Sequence, residues 1–439
     1  MTVSPFADLN GLPYYDEPTL HLNLGGRLWA WEFEGWKPES MSWKTGCYIH
    51  GGLCDNRTIF RGPDVKEFFS SIAVNSFENF PIGSMKHSIY CNDEGLIASQ
   101  AILQRNGEHE YHFFAGFPWP HYQLALADGR FDVQIDPTPA YLFQIAGPTS
   151  LETLERVTGE SLRDIGFLRF RSAKINGTTV EVARIGMSGN LAYELRGPIE
   201  EGPEIYDAVF RAGQDLGIQR LGWRTYLVNH VEGGFPQMTW TFWSSAYLDP
   251  GYRAFLEAIG FTPPSNVSGS VDPADARARL RNPIELGWGR AVKFDHDFTG
   301  RAALEAEVAD PKRTVVTLRW NPEDVVDIYA SLLQPGEEYK TIDLPTSPPW
   351  SEGMNVHADH VLKDGRSIGV SSGTIYSYFY RQVISLGTIE IGEAEIGNEV
   401  VVQWGDHGRR IKDVRATVER YPYVSEDRNS DVDARTIGV

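Results

Sequence analysis

"YLFQIAGPTSLETLERVTG", residues 141–159, contains the change of pattern that decides the fold class. Its first half is a short apolar run that ends at Gly-Pro, which predicts a buried strand. Its second half has Thr149 at a helix start and acidic residues in the turn that follows, which predicts a helix. A buried strand followed at once by a helix is typical of a sheet with helices packed against it.

The residues that follow repeat this alternation. The segments "TTVEVARIGMSG" (178–189) and "AYELRGP" (192–198) have the composition of strands. The segment "EEGPEIYDAVFRAGQDLG" (200–217) has apolar residues at helical spacing, namely Ile205, Val209 and Ala212. The chain from residue 141 onward therefore predicts an α+β block with helices on a sheet.

Two further regions differ from that block. Between residues 56 and 115, short β-like runs alternate with turn residues around one helical stretch, "PDVKEFFSSIA" (63–73). This pattern predicts an antiparallel sheet that carries a helix. After residue 311 the chain is rich in short strands separated by turns, which predicts a small barrel or jelly roll. The fold class is therefore α+β with a C-terminal β domain.

The composition excludes several classes of protein. The chain has 439 residues, 41% hydrophobic and 23% charged, which is enough for two or three domains with their own cores. Its net charge of −19 repels nucleic acid and anionic lipid, so we expect neither as a partner. The N-terminus lacks a signal-peptide pattern, and no apolar run reaches the roughly 18 residues that span a bilayer. We therefore expect a cytoplasmic protein.

Cysteine and histidine give no sign of a metal site. The three cysteines, Cys47, Cys54 and Cys91, form no Cys-x-x-Cys pair and are too few for a disulfide framework. The histidine pairs in "HEYH" (109–112) and "HADH" (357–360) lack a nearby thiolate and lack the helical His-Glu-x-x-His spacing. No bound metal is predicted.

Six segments follow one another in an order that identifies a family. They are "FQIAGPTSLETLERVTG" (143–159), "RIGMSGNLAYELRGP" (184–198), "LGWRTYLVNHVEGGFP" (221–236), "NPIELGWGRAVKFDHDFTGRAALE" (282–305), "VTLRWNPEDVVDIYASL" (316–332) and "VSSGTIYSYFYRQVISLGTI" (370–389). Together they resemble the folate-binding aminomethyltransferase superfamily, typified by the glycine-cleavage T-protein. Within it they are most similar to the tetrahydrofolate-dependent aromatic O-demethylases that act on vanillate and syringate. The resemblance covers residues 30–425 in colinear order.

The resemblance implies a T-protein-like ring of three domains around a central folate channel. These are a folate-binding α+β domain (residues 1–50 with 141–240), a ferredoxin-like domain (51–140 with 241–310) and a C-terminal β-barrel domain (311–439). Tetrahydrofolate is the implied cofactor and methyl acceptor, with its pterin deep in the channel. The oligomeric state is not predicted.

The resemblance also implies which residues bind the folate. Glu194 matches the carboxylate that holds the edge of the pterin, a task that suits a group able to accept two parallel hydrogen bonds. Gln144 matches its neutral partner. Arg184 either contacts the folate or pairs with an acid such as Glu181, and Glu232 completes the set of expected cofactor-binding residues.

The residue expected to assist the chemistry is Tyr226. In the O-demethylases, the corresponding tyrosine lies beside the ether oxygen. An aryl methyl ether departs as a phenolate whose conjugate acid has a pKa of about 10, so the oxygen needs a hydrogen bond or a proton as the C–O bond breaks. A tyrosine hydroxyl has nearly the same pKa, and Arg224 could stabilise the developing anion. Gly233 and Gly234 would let the backbone approach the ligand closely.

Departures from the family pattern concern the methyl donor. Ser99 or Ala98 stands where the T-protein has an acidic residue, which argues against an amine donor. Phe117 stands where the vanillate and syringate enzymes have an arginine, and Leu53 or Cys54 where they have a histidine. A buried carboxylate without its arginine would be an unpaired ion. We therefore expect a neutral substrate rather than a benzoate.

The same regions are rich in aromatic rings, which predicts an apolar pocket suited to a neutral methoxyarene. The expected substrate-binding residues are Phe117, Trp119, Trp29, Trp31 and Tyr378. The first hypothesis is an enzyme that moves a methyl group from a neutral aryl methyl ether to N5 of tetrahydrofolate. Two alternatives stay open: a demethylase of a sulfonium or quaternary-amine donor, which aromatic rings would also suit, and a non-catalytic folate-binding protein. That last group presents a cysteine motif that is not found around Cys47, Cys54 or Cys91.

Overall fold

The computed structural model describes residues 20–24, 27–51, 57–261, 267–346, 356–424 and 428–437. Within these ranges the helices are α1 (Trp36–Thr45), α2 (Val65–Ile72), α3 (Trp119–Leu126), α4 (Ser150–Thr158), α5 (Gly202–Ala212), α6 (Trp223–Gly233), α7 (Pro250–Ala258), α8 (Arg301–Ala309) and α9 (Pro322–Ser331). None of these helices is long and apolar enough to cross a lipid bilayer.

The strands begin with a hairpin and continue through three larger arrangements. In chain order they are β1 (Leu20–Leu24), β2 (Arg27–Glu32), β3 (Cys47–His50), β4 (Arg57–Arg61), β5 (Ser84–Cys91), β6 (Ile97–Gly107), β7 (Glu110–Phe114), β8 (Gln134–Pro137), β9 (Ala140–Ala146), β10 (Phe170–Ile175), β11 (Thr178–Ala183), β12 (Ala192–Pro198), β13 (Ile218–Arg220), β14 (Val267–Ser268), β15 (Arg313–Trp320), β16 (Val356–His357), β17 (Asp359–Lys363), β18 (Arg366–Ser377), β19 (Gln382–Glu390), β20 (Glu399–Trp404) and β21 (Lys412–Glu419).

A six-stranded sheet contains the stretch on which the fold class rests. Its strand order is β10-β11-β12-β9-β3-β13, and only the β3–β13 pairing is parallel. Helices α4 and α5 pack on one face, where they bury Leu151, Leu154, Ile205 and Val209 against the strands. The predicted strand and helix within residues 141–159 are confirmed as β9 and α4. The opposite face carries polar side chains.

A five-stranded antiparallel sheet, β5-β6-β7-β4-β8, forms a second unit. Helices α2, α3 and α7 cover one of its faces and enclose a core dominated by aromatic rings, among them Phe68, Phe69 and Tyr252. The helix predicted within residues 63–73 is confirmed as α2. The other face of this sheet turns toward the polar face of the six-stranded sheet, because Arg196 of β12 donates to Gln104 of β6.

The C-terminal strands close into an antiparallel barrel in the order β15-β19-β18-β17-β20-β21. Its interior is filled by aliphatic side chains and by Trp320 and Trp404, whose rings meet edge to face at 5.3 Å. The prediction of an α+β protein with a β-barrel domain is confirmed. The three domain boundaries stay a prediction.

Helix α6 occupies the centre of the molecule. It packs against α1, β2 and the barrel strands β18 and β19, and all of its side chains except Arg224 are buried. It begins after Gly222, whose N–H donates to the buried carboxylate of Glu39 (2.9 Å), and it ends at Gly234 in the left-handed region (φ 71°). The segment that contains Tyr226 therefore forms a core helix that packs against several elements.

Candidate active site

Three polar side chains form a row across the six-stranded sheet. His50 on β3 pairs with Gln144 on β9, and Gln144 pairs with Glu194 on β12. Directly paired residues point to the same face of a sheet, and this face is opposite the apolar core under α4 and α5. Tyr48 belongs to the neighbouring row, where its partners are alanines.

Helix α6 lies over this row. The Tyr226 ring stacks on the His50 ring with centroids 4.0 Å apart and an interplanar angle of 13°. Trp223, one turn earlier, meets both rings edge to face, at 5.1 Å from Tyr226 and 5.5 Å from His50. Asn229, three residues after Tyr226, donates to the Tyr48 hydroxyl (3.3 Å). The helix and the sheet thus enclose one polar cluster within an apolar surround.

Four polar atoms of this cluster are buried without a hydrogen-bond partner among the described residues. They are Tyr226 Oη, His50 Nε2, Gln144 Oε1 and Asn229 Oδ1. Single core tyrosines elsewhere, such as Tyr252, also have an unpartnered hydroxyl. Convergence of four such atoms from three elements is different, because a buried polar group without a partner destabilises the folded state and is normally satisfied by protein or ligand. The cluster has the hydrogen-bonding capacity to receive a polar ligand.

Burial sets the protonation states of the cluster. His50 is held through Nδ1 by the carbonyl of Leu221 (2.8 Å), so Nδ1 carries the proton and Nε2 presents a lone pair. Burial lowers the pKa of His50 to about 3 and that of His230 to about 4, so both rings are neutral at pH 7. Burial also raises the pKa of the Tyr226 hydroxyl well above its usual value. Tyr48 and Glu194 reinforce the shift, and the polar side chain of the nearby Gln144 opposes it. Tyr226 therefore stays protonated across the physiological range.

Glu194 is positioned from both sides. Gln144 donates to one carboxylate oxygen (3.1 Å) and Arg196 to the other (2.5 Å). Arg196 is itself fixed by Gln104 of the five-stranded sheet (2.5 Å) and lies over the ring of Phe114 at 4.1 Å. This buried network gives Glu194 a set direction while each oxygen keeps a second lone pair for a ligand.

The structure does not bring Arg224 to this cluster, and its predicted catalytic role stays a prediction. Its guanidinium donates to Glu32 (2.6 Å) and to the carbonyl of Leu344 (2.6 Å). The physical reason is helical geometry, because residues two apart on a helix point in nearly opposite directions. Arg224 joins β2, α6 and the segment before residue 346, while Tyr226 faces the sheet.

Glu232 likewise has its carboxylate engaged by protein groups, and its predicted role in cofactor binding stays a prediction. Its carboxylate accepts from Trp43 Nε1 (3.1 Å) and Ser377 Oγ (2.6 Å) and forms an ion pair with Lys44 (2.9 Å). These three partners come from α1 and the barrel strand β18. Glu232 therefore fastens the end of α6, and its hydrogen-bonding capacity is used by the protein itself.

Arg184 also has its donors committed to protein groups, and its predicted contact with folate stays a prediction. It binds the side chain (3.1 Å) and carbonyl (2.8 Å) of Asn429, the carbonyl of Val432 (2.6 Å) and that of Ile165 (3.4 Å). It thereby ties the C-terminal segment to the six-stranded sheet. The sequence left a structural role open for this residue, but its partner is not the expected acid.

Two of the expected substrate-binding rings belong to the second unit. Trp119 packs in the aromatic core with Tyr122 and Tyr252 at centroid distances of 5.6 and 5.3 Å. The Phe117 ring meets Tyr247 (6.1 Å) and Phe261 (5.9 Å). Neither ring contacts the cluster under α6. Trp119 begins α3 and packs in the aromatic core, and Phe117 lies in the loop between β7 and α3, where it also packs against the apolar cluster around Phe242.

The other three expected rings lie nearer to α6. Trp29 meets Trp223 edge to face at 5.8 Å, and its indole N–H is buried without a partner among the described residues. Trp31 is partly buried against the same core cluster as Tyr226. Tyr378, at the end of the barrel hairpin, contacts Trp36 (5.8 Å) and lies over Arg381 (4.4 Å). Trp29 therefore has the strongest structural case of the five.

The residues that depart from the family pattern do not all lie at the site. Ala98 packs in the aromatic core and Ser99 donates to the carbonyl of Phe117 (3.0 Å), so neither faces the site. The next residue, Gln100, turns the other way. Leu53 and Cys54 lie outside the described residues. His50, which precedes them by three and four residues, stacks on Tyr226. His50 was not among the candidate site residues identified from the sequence. The period of a strand that puts Tyr48 and His50 on one face was the available signal.

Gly233 and Gly234 serve packing rather than a ligand. A Cβ at Gly233 would lie 2.6 Å from the backbone of Ser188, and one at Gly234 would lie 2.5 Å from Pro422. The end of α6 therefore needs both glycines to fit against neighbouring segments.

The fold and the buried cluster define an α+β protein with a candidate polar ligand site between helix α6 and the six-stranded sheet. The family model described as "GCVT N-terminal domain" matches residues 14–241. A sesamin methylene transferase of a Sinomonas species is 36% identical over 92% of both chains, and a syringate O-demethylase of a Sphingobium species is 26% identical over 92% of this chain and 91% of that one. The chain belongs to the GCVT family and is a methyltransferase-type enzyme.

A solved structure supports the fold. The glycine cleavage system aminomethyltransferase T from Bartonella henselae superposes with a TM-score of 0.68 at 15% identity, covering 97% of this chain and 99% of that one. The predicted T-protein-like fold is confirmed. Tetrahydrofolate is the cofactor of this family, which confirms the cofactor prediction.

Proposed function

We propose that this protein transfers a one-carbon group from a neutral aryl ether to tetrahydrofolate, with a methyl ether as the first candidate and a phenol as the second product. The observation that carries the proposal is the convergence of unpartnered Tyr226 Oη, His50 Nε2, Gln144 Oε1 and Asn229 Oδ1. The relatives add support, because one is named for syringate and the other for sesamin, and both compounds are aryl ethers.

The cluster fits the pterin of a folate. The edge of a pterin carries an amino group and a ring N–H beside ring acceptors. Glu194 and the free oxygens of Gln144 and Asn229 are acceptors for the former, and the Tyr48 hydroxyl, which Asn229 holds, lies close by. Bound tetrahydrofolate supplies the N5 nitrogen that receives the one-carbon group. The role of the protein there is to bind and orient the ring in a site that excludes water.

Tyr226 acts on the leaving oxygen as a hydrogen-bond donor. Its pKa lies well above that of an ordinary phenol, so the hydroxyl does not give up its proton to a departing phenolate. It stabilises the charge that develops on the ether oxygen by donating a hydrogen bond in a buried site. The stacked, neutral His50 fixes the plane of the Tyr226 ring, and its Nε2 lone pair can accept from a ligand hydroxyl.

The charges around Tyr226 favour a neutral donor. Arg196 is paired with Glu194, and Arg224 with Glu32. Among the described residues next to Tyr226, the rings of His50 and His230 are neutral at pH 7. A substrate carboxylate would be desolvated there without a partner cation, which costs several kcal/mol.

A methylenedioxyarene is the second candidate donor. The relative with 36% identity is named for sesamin, which is neutral and carries methylenedioxy groups, whereas syringate carries a carboxylate. Transfer from such a ring would deliver a methylene rather than a methyl group. Both C–O bonds of the methylenedioxy carbon would break and leave a catechol. The Tyr226 hydroxyl would serve the first phenolic oxygen to depart, as it would serve the single one of a methyl ether.

The test is incubation of the purified protein with tetrahydrofolate and donors labelled with ¹³C in the transferred carbon, followed by mass spectrometry of the folate. The donors are a neutral methoxyarene, a methylenedioxyarene, vanillate, and a sulfonium and a quaternary amine. Labelled 5-methyltetrahydrofolate from the neutral methoxyarene supports the first candidate, and labelled methylenetetrahydrofolate from the methylenedioxyarene supports the second. Efficient transfer from vanillate would refute the neutral pocket, and transfer only from the cationic donors would refute the aryl ether.

A further inference from the structure

His87 and Gln100 form a buried polar pair that the chemistry around Tyr226 does not use. They lie on β5 and β6, on the face of the five-stranded sheet turned away from its aromatic core, and their Nε2 and Oε1 atoms are 2.5 Å apart. The His87 ring meets Trp288 edge to face at 4.7 Å and Phe235 at 5.6 Å. Phe235 in turn contacts His230 (5.8 Å), whose ring is 4.4 Å from Tyr226.

Each member of the pair keeps one free polar atom. His87 Nδ1 and the amide nitrogen of Gln100 make no hydrogen bond with any described residue. Neither is among the fully buried unpartnered atoms, so both retain accessible surface, although Gln100 is buried and His87 is half-buried. The pair therefore offers hydrogen-bonding capacity that a ligand can reach, and its ring contacts lead through Phe235 and His230 to Tyr226.

The pair offers one donor and one acceptor whichever way the amide is turned. If Gln100 presents its oxygen to the ring, Nε2 carries the proton, Nδ1 is left as an acceptor and the amide N–H as a donor. If the amide is reversed, Nδ1 carries the proton and the Gln100 oxygen is the acceptor. A hydroxyl group donates one hydrogen bond and accepts another, so it complements both arrangements.

The pair is also electrically neutral. Burial lowers the pKa of His87 to about 4, which leaves the imidazole uncharged at pH 7. On the facing six-stranded sheet, Arg196 is bound to Glu194 and donates to Gln104. The pair itself offers no charge to a carboxylate or an ammonium group, whereas a phenol or alcohol would keep both of its hydrogen bonds.

We propose that His87 and Gln100 form the specificity pair that recognises a free hydroxyl group on the aryl ether substrate. The inference rests on the proposed function and deepens it, because it names the donor class as hydroxylated aryl ethers. Both residues are recognition residues that hold the far end of the donor, while Tyr226 acts at the ether being cleaved.

The experiment compares donors that differ only in this hydroxyl. For each hydroxylated methoxyarene, with the hydroxyl ortho, meta or para, kcat/KM is compared with that of its O-methylated counterpart. The wild type, His87→Phe and Gln100→Leu are tested, and His121→Phe serves as the control, since His121 is a buried histidine of the same unit whose Nε2 contacts Thr58 (3.2 Å). His87→Phe keeps a ring against Trp288 and Phe235.

We expect the wild type and His121→Phe to prefer the hydroxylated donor by about tenfold for at least one ring position, the effect of about one well-placed hydrogen bond. His87→Phe and Gln100→Leu should reduce that ratio to near one by raising the KM of the hydroxylated donor, with the KM of tetrahydrofolate unchanged. An unchanged ratio in both variants, or a raised KM for tetrahydrofolate with the ratio intact, would overturn the proposal.

The failure of the proposed function looks different. If the wild type transfers no carbon from any neutral aryl ether, the proposed reaction is wrong, but the pair can still be tested by binding. Quenching of tryptophan fluorescence, to which Trp288 contributes beside His87, then gives the Kd of each phenol and of its O-methylated counterpart. A preference for the phenol that is lost in His87→Phe supports the pair, and equal affinities in the wild type overturn it.

Discussion

Two buried polar residues of helix α6, Tyr226 and Glu232, use their hydrogen-bonding capacity in opposite ways. Near its start, Tyr226 is buried with a hydroxyl that has no partner among the described residues. Near its end, the carboxylate of Glu232 is equally buried but is bound by Trp43, Lys44 and Ser377. Both residues looked functional in the sequence, and only the use of their hydrogen-bonding capacity separates them.

The difference separates two kinds of buried polar residue. Residues of a ligand site keep hydrogen-bonding capacity for a ligand, whereas clamp residues, as we call them, use theirs to bind other parts of the protein. A buried group whose capacity is filled by the protein stabilises the fold, and its removal leaves its partners unpaired. A buried group with capacity to spare contributes little to the fold, and its removal is felt when a ligand binds or reacts. Each prediction below tests one side of this contrast.

The largest effect is expected for Tyr226→Phe. This change removes the donor to the leaving oxygen and keeps the ring that stacks on His50, so kcat should fall by roughly 10²- to 10³-fold while the Kd of tetrahydrofolate stays the same. Single-turnover formation of methylated folate measures the loss. The matched control is Tyr252→Phe, which removes another unpartnered hydroxyl from the aromatic core of the second unit. A comparable loss in both variants would show that Tyr226 acts only through packing.

Glu232→Ala should affect stability instead. Removal of the carboxylate leaves Lys44 and Trp43 Nε1 buried without their partner, so the free energy of unfolding should drop by about 3–5 kcal/mol. Urea unfolding measures the drop, and the double variant with Lys44→Met should recover part of it. A weaker affinity for tetrahydrofolate with unchanged stability would contradict the stabilising role of Glu232 and would support the cofactor-binding role predicted from the sequence.

The fold was largely predictable because its signals are local. The apolar run and the helix start within residues 141–159 lie next to each other in the chain, and they appear as β9 and α4. The barrel strands followed from the same kind of pattern. The resemblance in segment order then supplied the family, which the comparisons bear out.

The site was less predictable because its contacts join distant parts of the chain. Arg224 is paired with a residue 192 positions away and Arg184 with one 245 positions away, and neither partner can be inferred from local pattern. His50 was missed because only Leu53 and Cys54 of "HGGLCDNR" were considered, which stand where the related enzymes have a histidine. The alternation along β3, which puts Tyr48 and His50 on one face, was the signal that could have found it.

Glu39 belongs with the clamps, and it predicts a dependence of stability on pH. Its carboxylate accepts from the N–H groups of Phe33, Glu34 and Gly222 and from the Thr225 hydroxyl, which joins the start of α6 to β2. Burial outweighs these bonds and raises its pKa from 4.5 to about 7. Between these values the folded chain keeps a proton that the unfolded chain has released, so stability falls as pH rises through this window.

The comparison of wild type with Glu39→Gln isolates this effect. The amide cannot lose a proton, so the unfolding free energy of the wild type should decrease relative to that of the variant between pH 4.5 and pH 7, by on the order of 3 kcal/mol at most. Urea unfolding at several pH values measures both. Parallel pH curves would show that Glu39 titrates alike in the folded and unfolded chains.

Glu194 is bound by protein groups and also keeps lone pairs for a ligand. Its replacement should have a smaller effect than the changes described above, and that effect should be on tetrahydrofolate binding. Arg196 and Gln144 each occupy one oxygen, and the remaining lone pairs are those assigned to the pterin. Glu194→Ala should weaken tetrahydrofolate binding by about 1.5–3 kcal/mol, the usual range for hydrogen bonds to a charged group. Calorimetric titration measures it, and Arg196→Met indicates how much of the loss comes from positioning. Unchanged affinity in Glu194→Ala would remove this carboxylate from the folate site.

The smallest effect is expected for Trp29→Phe. Its comparison with Trp320→Phe contrasts an indole N–H that has no partner with one that donates a hydrogen bond. The indole N–H of Trp29 is buried without a partner beside Trp223, whereas that of Trp320 in the barrel donates to Ser385 (3.0 Å). Trp29→Phe should raise the KM of the aryl donor by about three- to tenfold, since one neutral hydrogen bond is at stake, and should leave the unfolding free energy nearly unchanged. Trp320→Phe should do the reverse, costing about 1 kcal/mol of stability with no change in KM. If both variants lose stability alike, an unpartnered N–H does not mark the ligand site, and the contrast drawn along α6 would not extend to β2.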